Sequence, residues 1–285
     1  MHSGTISLQI ATKAEPGIAM DQTTTLSSHD RRRASERLAN SIVQSIDSAR
    51  AVEKPFFHLE FDHVFPDDIY SQILALMPES SDYRPMHGRS KGHDRDGTHT
   101  RVKIDLFPEY IRNLPPEKRM LWDLVGRALC SEPVKQAFIR RLAPGLSKRF
   151  GERFEGVGMY PIPILTRDIP GYQITPHTDT HWKGITVQLY LPKDDTNTDV
   201  GTIFHEKLPD GSMPKKVQMR FAPNTGYAFA VGSDTWHSAD PVHNRLKTRD
   251  SILLTYFVDQ GLLKVLRNRG KRFGNFVLNE IRYRF

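Results

Sequence analysis

From Phe154 onward the chain breaks into short apolar runs separated by turn-forming residues, and this texture constrains the fold more than any other feature. The runs fall over 154–160, 172–176, 184–191, 201–205, 216–221, 225–231 and 250–258. Strands so closely spaced predict an antiparallel sandwich or barrel. The first half reads differently. Between Asp30 and Arg50, Leu38, Ile42, Ile46 and Ala49 recur at helical spacing, giving one apolar face. Pro66-Asp67-Asp68 opens a second helix, with proline in the first turn and acids at the positive end of the dipole, and Pro78 closes it. Further helices are expected over 115–131 and 132–142, and Pro55–Phe61 alternates like an entering strand.

The expected organisation is therefore a disordered, Ser/Thr-rich 1–27, a helical support region over 28–150, a β core over 151–260 and a basic C-terminal extension over 261–285. With 285 residues, 38% of them hydrophobic, one sizeable core is within reach. No apolar run reaches 18 residues, which excludes a transmembrane helix, and the N-terminus lacks the apolar stretch of a secretory signal. The lone Cys130 cannot form an internal disulfide. These features lead us to expect a cytoplasmic protein.

Charge is uneven. Of the formal +7, residues 261–285 carry seven basic side chains against Glu280. Such a segment is a solvated face, or a contact for an anionic partner or a second subunit; nucleic acid is not expected. Arg84–Lys103 is a second basic stretch, polar and Gly-rich over 84–100, and reads as a long exposed loop. It is either a lid over a substrate or a solvated excursion. Its histidines, His87, His93 and His99, lack metal-ligand spacing and are expected in solvent.

The most specific pattern is His177-Thr178-Asp179, with His237 sixty residues later. Residues i and i+2 of a strand share a face, so His177 and Asp179 can reach one ion, and a neighbouring strand can supply His237. Two imidazoles and a carboxylate on one side of an octahedron leave open positions, as iron(II) oxygenase chemistry requires. His205 and His243 compete for the third place, but neither has the same spacing to the downstream arginine. Arg249 and Ser251, at the start of the strand Ser251–Phe257, share a face and suit a distal carboxylate. Thr186, Gln188 and Tyr190 line one face of another strand; they either border a cofactor pocket or meet water. Trp182 and Arg167 are candidates for substrate contact, weighed against plain packing and a surface ion pair.

The stretches PGYQITPHTDTHWKGITVQLYLP, DVGTIFHE and TWHSADPVHNRLKTRDSILLTYF resemble the prolyl-4-hydroxylase-like branch of the 2-oxoglutarate/iron(II) dioxygenases, over residues 154–258. The resemblance implies an α+β fold with a mainly β core, a double-stranded β-helix (jelly roll) supported by helices from the N-terminal half. It implies His177, Asp179 and His237 as iron ligands, and Arg249 and Tyr190 around 2-oxoglutarate; strand alternation adds Thr186 and Ser251 as cofactor-binding candidates. O2 is the second co-substrate and ascorbate a candidate reductant. The family's tyrosine that contacts the inner carboxylate has no match in Arg167–Tyr172. Related halogenases lack the carboxylate, so Asp179 points to hydroxylation. The expected activity is hydroxylation of an unactivated C–H bond of a small molecule, such as an amino acid or a biosynthetic intermediate. The alternatives are hydroxylation of a protein side chain and a non-catalytic cupin-type metal-binding barrel.

Overall fold

The computed structural model describes residues 28–86, 99–242 and 246–259. The expectations for residues 1–27, for residues 87–98 of the lid segment Arg84–Lys103 with His87 and His93, for His243 and for the basic 261–285 lie outside the described residues.

The N-terminal half contains α1 (Ser28–Ser48), β1 (Arg50–Val52), β2 (His58–Phe61), α2 (Asp67–Ala75), β3 (Arg84–Pro85) and β4 (Arg101–Asp105). Four helices follow: α3 (Pro108–Ile111), α4 (Pro116–Leu129), α5 (Glu132–Arg141) and α6 (Ala143–Phe150). The remaining strands are β5 (Met159–Asp168), β6 (Ile174–His177), β7 (Lys183–Tyr190), β8 (Ile203–His205), β9 (Lys215–Gln218), β10 (Gly226–Ala230), β11 (His237–Ala239) and β12 (Arg249–Val258).

These strands make two antiparallel sheets. The larger runs β1-β2-β10-β7-β12-β5-β4-β3 and the smaller runs β6-β11-β8-β9. From β5 onward the chain passes to and fro between the sheets, with β5, β7, β10 and β12 in the large one. That winding is a double-stranded β-helix, and with its helices the protein is α+β. Residues before 151 add four strands to the large sheet, so the helical half is also part of the β framework.

Strand alternation on β7 divides two environments. Ile185, Val187 and Leu189 join Ile252 and Leu254 of β12 and Leu165 of β5 in the core beneath the helices. There they meet Leu38, Ile42 and Ile46 of α1, Trp122 and Val125 of α4 and Phe138 of α5. Each such side chain contributes roughly 1.5–3 kcal/mol on burial. Trp122 is fully buried and donates its Nε1–H to the Leu76 carbonyl at 3.0 Å. Thr186, Gln188 and Tyr190 point the other way, into the space between the sheets, which narrows onto Phe204, Phe221, Tyr227 and Phe229.

Beyond β1, β3, β4 and α3, which were not expected, three elements differ for a visible physical reason. β5 begins at Met159 and carries Pro161 and Pro163, which argue against a strand in sequence. The register resolves this: β4 pairs with residues 164–168, and its last contact is the Leu106 N–H donated to the Pro163 carbonyl, so both prolines lie at or beyond the end of that strand. α6 begins Ala143-Pro144-Gly145, which reads as a break, yet proline is tolerated in a first turn. β11 has three residues, too few to show an alternating pattern.

Candidate active site

β6 and β11 are neighbours in the small sheet, and their register sets His177 directly opposite His237. Opposed residues of an antiparallel pair carry their side chains on the same face, and the two imidazole centroids are 4.3 Å apart. The chain then turns, and Asp179 joins them: one ligand atom from each residue lies within 4.8 Å of the others.

The surroundings orient all three and set the charge of two. His177 Nδ1 is 2.9 Å from the Thr175 carbonyl, and His237 Nδ1 is 3.0 Å from the Thr235 carbonyl. A carbonyl only accepts, so each Nδ1 carries a proton, and Nε2 is the ring nitrogen that can ligate a metal. Burial depresses the His237 pKa to about 4, aided by the His177 and Lys183 charges and opposed by Asp179 and the Thr235 carbonyl. Burial alone would raise the Asp179 pKa. The Lys183 ammonium, His237 and hydrogen bonds from Lys183 and Thr186 outweigh it and hold that pKa at about 2. Lys183 Nζ meets Asp179 Oδ1 and Thr186 Oγ1 meets Oδ2, both at 2.6 Å. Two imidazoles and an ionised carboxylate form a donor set suited to iron(II). Arg149 of α6 braces the loop that follows, donating to the carbonyls of His181, Lys183 and Val231.

The triad borders a cavity of about 300 Å³ between the sheets. Arg249 lies in its wall, 3% exposed. Its Nε and Nη2 each donate to Asp168 Oδ2 at 3.1 Å, and its Nη1 donates to the Val200 carbonyl at 2.6 Å. Three of five N–H groups are engaged, leaving one on Nη1 and one on Nη2. Tyr190 also borders the cavity; its hydroxyl donates to Thr202 Oγ1 at 3.1 Å and accepts from the Thr202 amide at 2.8 Å.

Other sequence candidates sit elsewhere. Ser251 is fully buried outside the cavity lining, its Oγ joined to Gln188 Nε2 at 2.8 Å and Thr166 Oγ1 at 2.9 Å. It supports Gln188, which lines the cavity. Thr186 lines the cavity, but its hydroxyl is directed to Asp179 and orients that carboxylate. Arg167 is turned away: it pairs with its cross-strand neighbour Asp250 (Nε–Oδ1 2.7 Å) and covers the Tyr83 ring, so the ion-pair reading applies. Trp182 is 48% exposed beside His181 and is absent from the lining. His205 is buried, bonded to Ser238 Oγ and the Met213 carbonyl, and stands outside the ligand group. His99 is half-buried, contrary to the solvent exposure expected of it.

Sequence reasoning missed Arg101, Asp168, Tyr172, Lys183 and Tyr227, all in the lining. Lys183 alone carried a local signal, standing four residues after Asp179. The others reach the cavity through cross-strand pairings that no spacing announces.

Thr186→Val keeps the shape of the side chain and removes one hydrogen bond to Asp179. Partners of this kind orient ligands, so Mn(II) affinity measured by calorimetry should fall about tenfold with the melting temperature nearly unchanged. Unaltered affinity would reduce Thr186 to a packing role.

No protein-family model and no curated protein sequence matches the chain. Among solved structures it is similar to a prolyl-4-hydroxylase from Pseudomonas putida, at 12% identity over 77% of this chain and 98% of that one, with a TM-score of 0.43. It is similar to a prolyl hydroxylase from Trichoplax adhaerens, bound to a hypoxia inducible factor peptide fragment, at 12% identity over 82% and 94% and a TM-score of 0.45. The non-heme alpha-ketoglutarate-dependent epimerase SnoN of nogalamycin biosynthesis is a third, at 15% identity over 79% and 83% and a TM-score of 0.44.

Proposed function

We propose that this chain is an iron(II)- and 2-oxoglutarate-dependent oxygenase that hydroxylates an unactivated C–H bond of a small molecule. One observation carries the reading: a His–Asp–His ligand group and a guanidinium with two unengaged N–H groups border the same cavity. The first is a set of donors for a metal ion, the second a receptor for a carboxylate, and a keto diacid bridges the two.

His177, Asp179 and His237 would hold the iron through two Nε2 atoms and a carboxylate oxygen. Bound iron(II) with 2-oxoglutarate and O2 supplies the oxidation of a C–H bond to C–OH, releasing succinate and CO2. The protein's part is positioning. Arg249 offers its two remaining N–H groups to the distal carboxylate, and Tyr190 stands beside it in the wall. Lys183 and Thr186 keep Asp179 ionised and oriented. Phe204, Phe229 and Tyr227 pack behind the site and keep water from its inner end. A cavity of about 300 Å³ is at the lower limit of small-molecule sites, roughly 300–1,000 Å³. It has room for the co-substrate and the reacting part of a compact substrate.

The test is succinate release from the iron-loaded protein in air, with 2-oxoglutarate and a panel of amino acids and carboxylic intermediates. A subset of these small molecules should stimulate succinate formation above the uncoupled rate. Stimulation by peptides alone would replace the small-molecule reading with protein hydroxylation. No turnover of 2-oxoglutarate under any condition would overturn the activity itself.

A further inference from the structure

Three adjacent strands of the large sheet, β4, β5 and β12, present a charged row to the cavity. Asp168 of β5 is the register partner of Arg101 on one side and of Arg249 on the other. Arg101 Nε lies 2.8 Å from Asp168 Oδ1, close but poorly aligned, while Arg249 bonds Oδ2. Arg101 Nη1 also donates to the Tyr172 hydroxyl. Both guanidiniums lie against the same tyrosine ring, at 4.5 and 5.5 Å from its centroid.

Two cations here share one carboxylate. Burial keeps the Tyr172 phenol protonated, against the pull of both arginines, so it supplies no second anion. Among the described residues the only other acid in the lining is Asp179, which Lys183 already neutralises. A buried, uncompensated guanidinium is costly, and a purely structural pair would need one arginine per carboxylate. The wall is therefore short of one negative charge. Arg101, at 15% side-chain exposure against 4% for Arg249, is the more open of the two.

Resting on the oxygenase reading above, we infer that Arg101 and Arg249 together receive the distal carboxylate of 2-oxoglutarate, with Asp168 as the positioning residue that spaces them. The incoming carboxylate makes the row two cations and two anions. Arg249 contributes the N–H groups left on Nη1 and Nη2. Arg101, also in the lining, contributes its Nη2 group, which makes no hydrogen bond among the described residues. Tyr172 stacks on both and limits their rotation.

The experiment is calorimetry on the full-length, Mn(II)-loaded protein with two ligands, 2-oxoglutarate and 2-oxobutyrate. Both chelate through the keto-acid end, but only the first has a distal carboxylate. The parent should prefer 2-oxoglutarate by about 100-fold. Arg101→Gln should lower that preference at least about tenfold and leave 2-oxobutyrate affinity unchanged, since the chelating end does not touch Arg101. Arg101→Lys, which keeps the charge and loses the planar fork, should fall between the two. A parental preference in Arg101→Gln overturns the inference and leaves the oxygenase reading standing. If that variant does not fold, an undiminished preference in Arg101→Lys overturns it. A parent that binds neither ligand, or does not distinguish them, overturns the oxygenase reading and this inference with it.

Discussion

Asp179→Ala is expected to weaken Mn(II) binding by more than about 100-fold, since removal of mere supporting partners of a ligand already costs 10–100-fold. The loss has two parts. One donor of three disappears, and the Lys183 ammonium, now 2.6 Å from nothing, becomes an unpaired cation beside the ion. These parts can be separated. Asp179→Ala combined with Lys183→Met removes the stranded charge and keeps most of the bulk. If the carboxylate is a ligand, the double variant recovers only the electrostatic share and stays far below the parent. Full recovery in titrations with Mn(II) would mean that Asp179 serves only to neutralise Lys183, and the ligand assignment would fail. A melting curve for each variant checks that the sheets are intact. The small-sheet pairing of His177 with His237 does not depend on Asp179, so the two imidazoles should remain together in both.

The legible part of the site is the part encoded by short spacings. His177 and Asp179 are two residues apart and His237 follows sixty residues later, so residue type and order single out the three before any fold is known. The alternation of Thr186, Gln188 and Tyr190 against Val187 and Leu189 likewise predicts which face is polar, and that face borders the cavity. Alternation gives a direction, however, and not a partner. Thr186 and Ser251 share the inward face, yet one hydroxyl goes to Asp179 and the other to Thr166 and Gln188. Arg167 and Asp168 are neighbours in sequence, but the pleat sends Arg167 out to Asp250 and Asp168 in to two arginines. Arg101 was the least legible. It belongs to a short strand beyond a Gly-rich stretch of sequence, and its place in the cavity depends on pairing with β5, a strand disguised by two prolines. Long-range register of this kind is decided by the packing of the whole sheet and leaves little local trace. The helices were readable because α1 and α4 carry complete apolar stripes, whereas α6 has eight residues and one fully buried leucine, Leu146.

Arg249→Ala should raise the dissociation constant for 2-oxoglutarate on the Mn(II)-loaded protein by at least about 30-fold, equivalent to about 2–4 kcal/mol for a truncated charge-assisted contact. Mn(II) affinity itself should stay within about threefold, because Arg249 touches none of His177, Asp179 or His237. Structural consequences are limited by what remains: Asp168 keeps Arg101, and the Val200 carbonyl loses one donor, a cost of roughly 1 kcal/mol. Arg249→Lys gives the sharper comparison. A lysine restores the charge but cannot hold Asp168 through two N–H groups, reach the Val200 carbonyl and still present a fork to the ligand. Its three donors leave from one nitrogen, whereas the native arrangement distributes five around a plane fixed by β5, the Val200 carbonyl and the Tyr172 ring. If charge alone attracts the carboxylate, Arg249→Lys binds 2-oxoglutarate like the parent. If the fixed geometry matters, the lysine variant recovers less than about a tenth of the lost affinity, and the same shortfall appears in 2-oxoglutarate turnover at low concentration. Tight binding in the alanine variant would remove Arg249 from the co-substrate site and leave the cavity's carboxylate receptor to Arg101 alone.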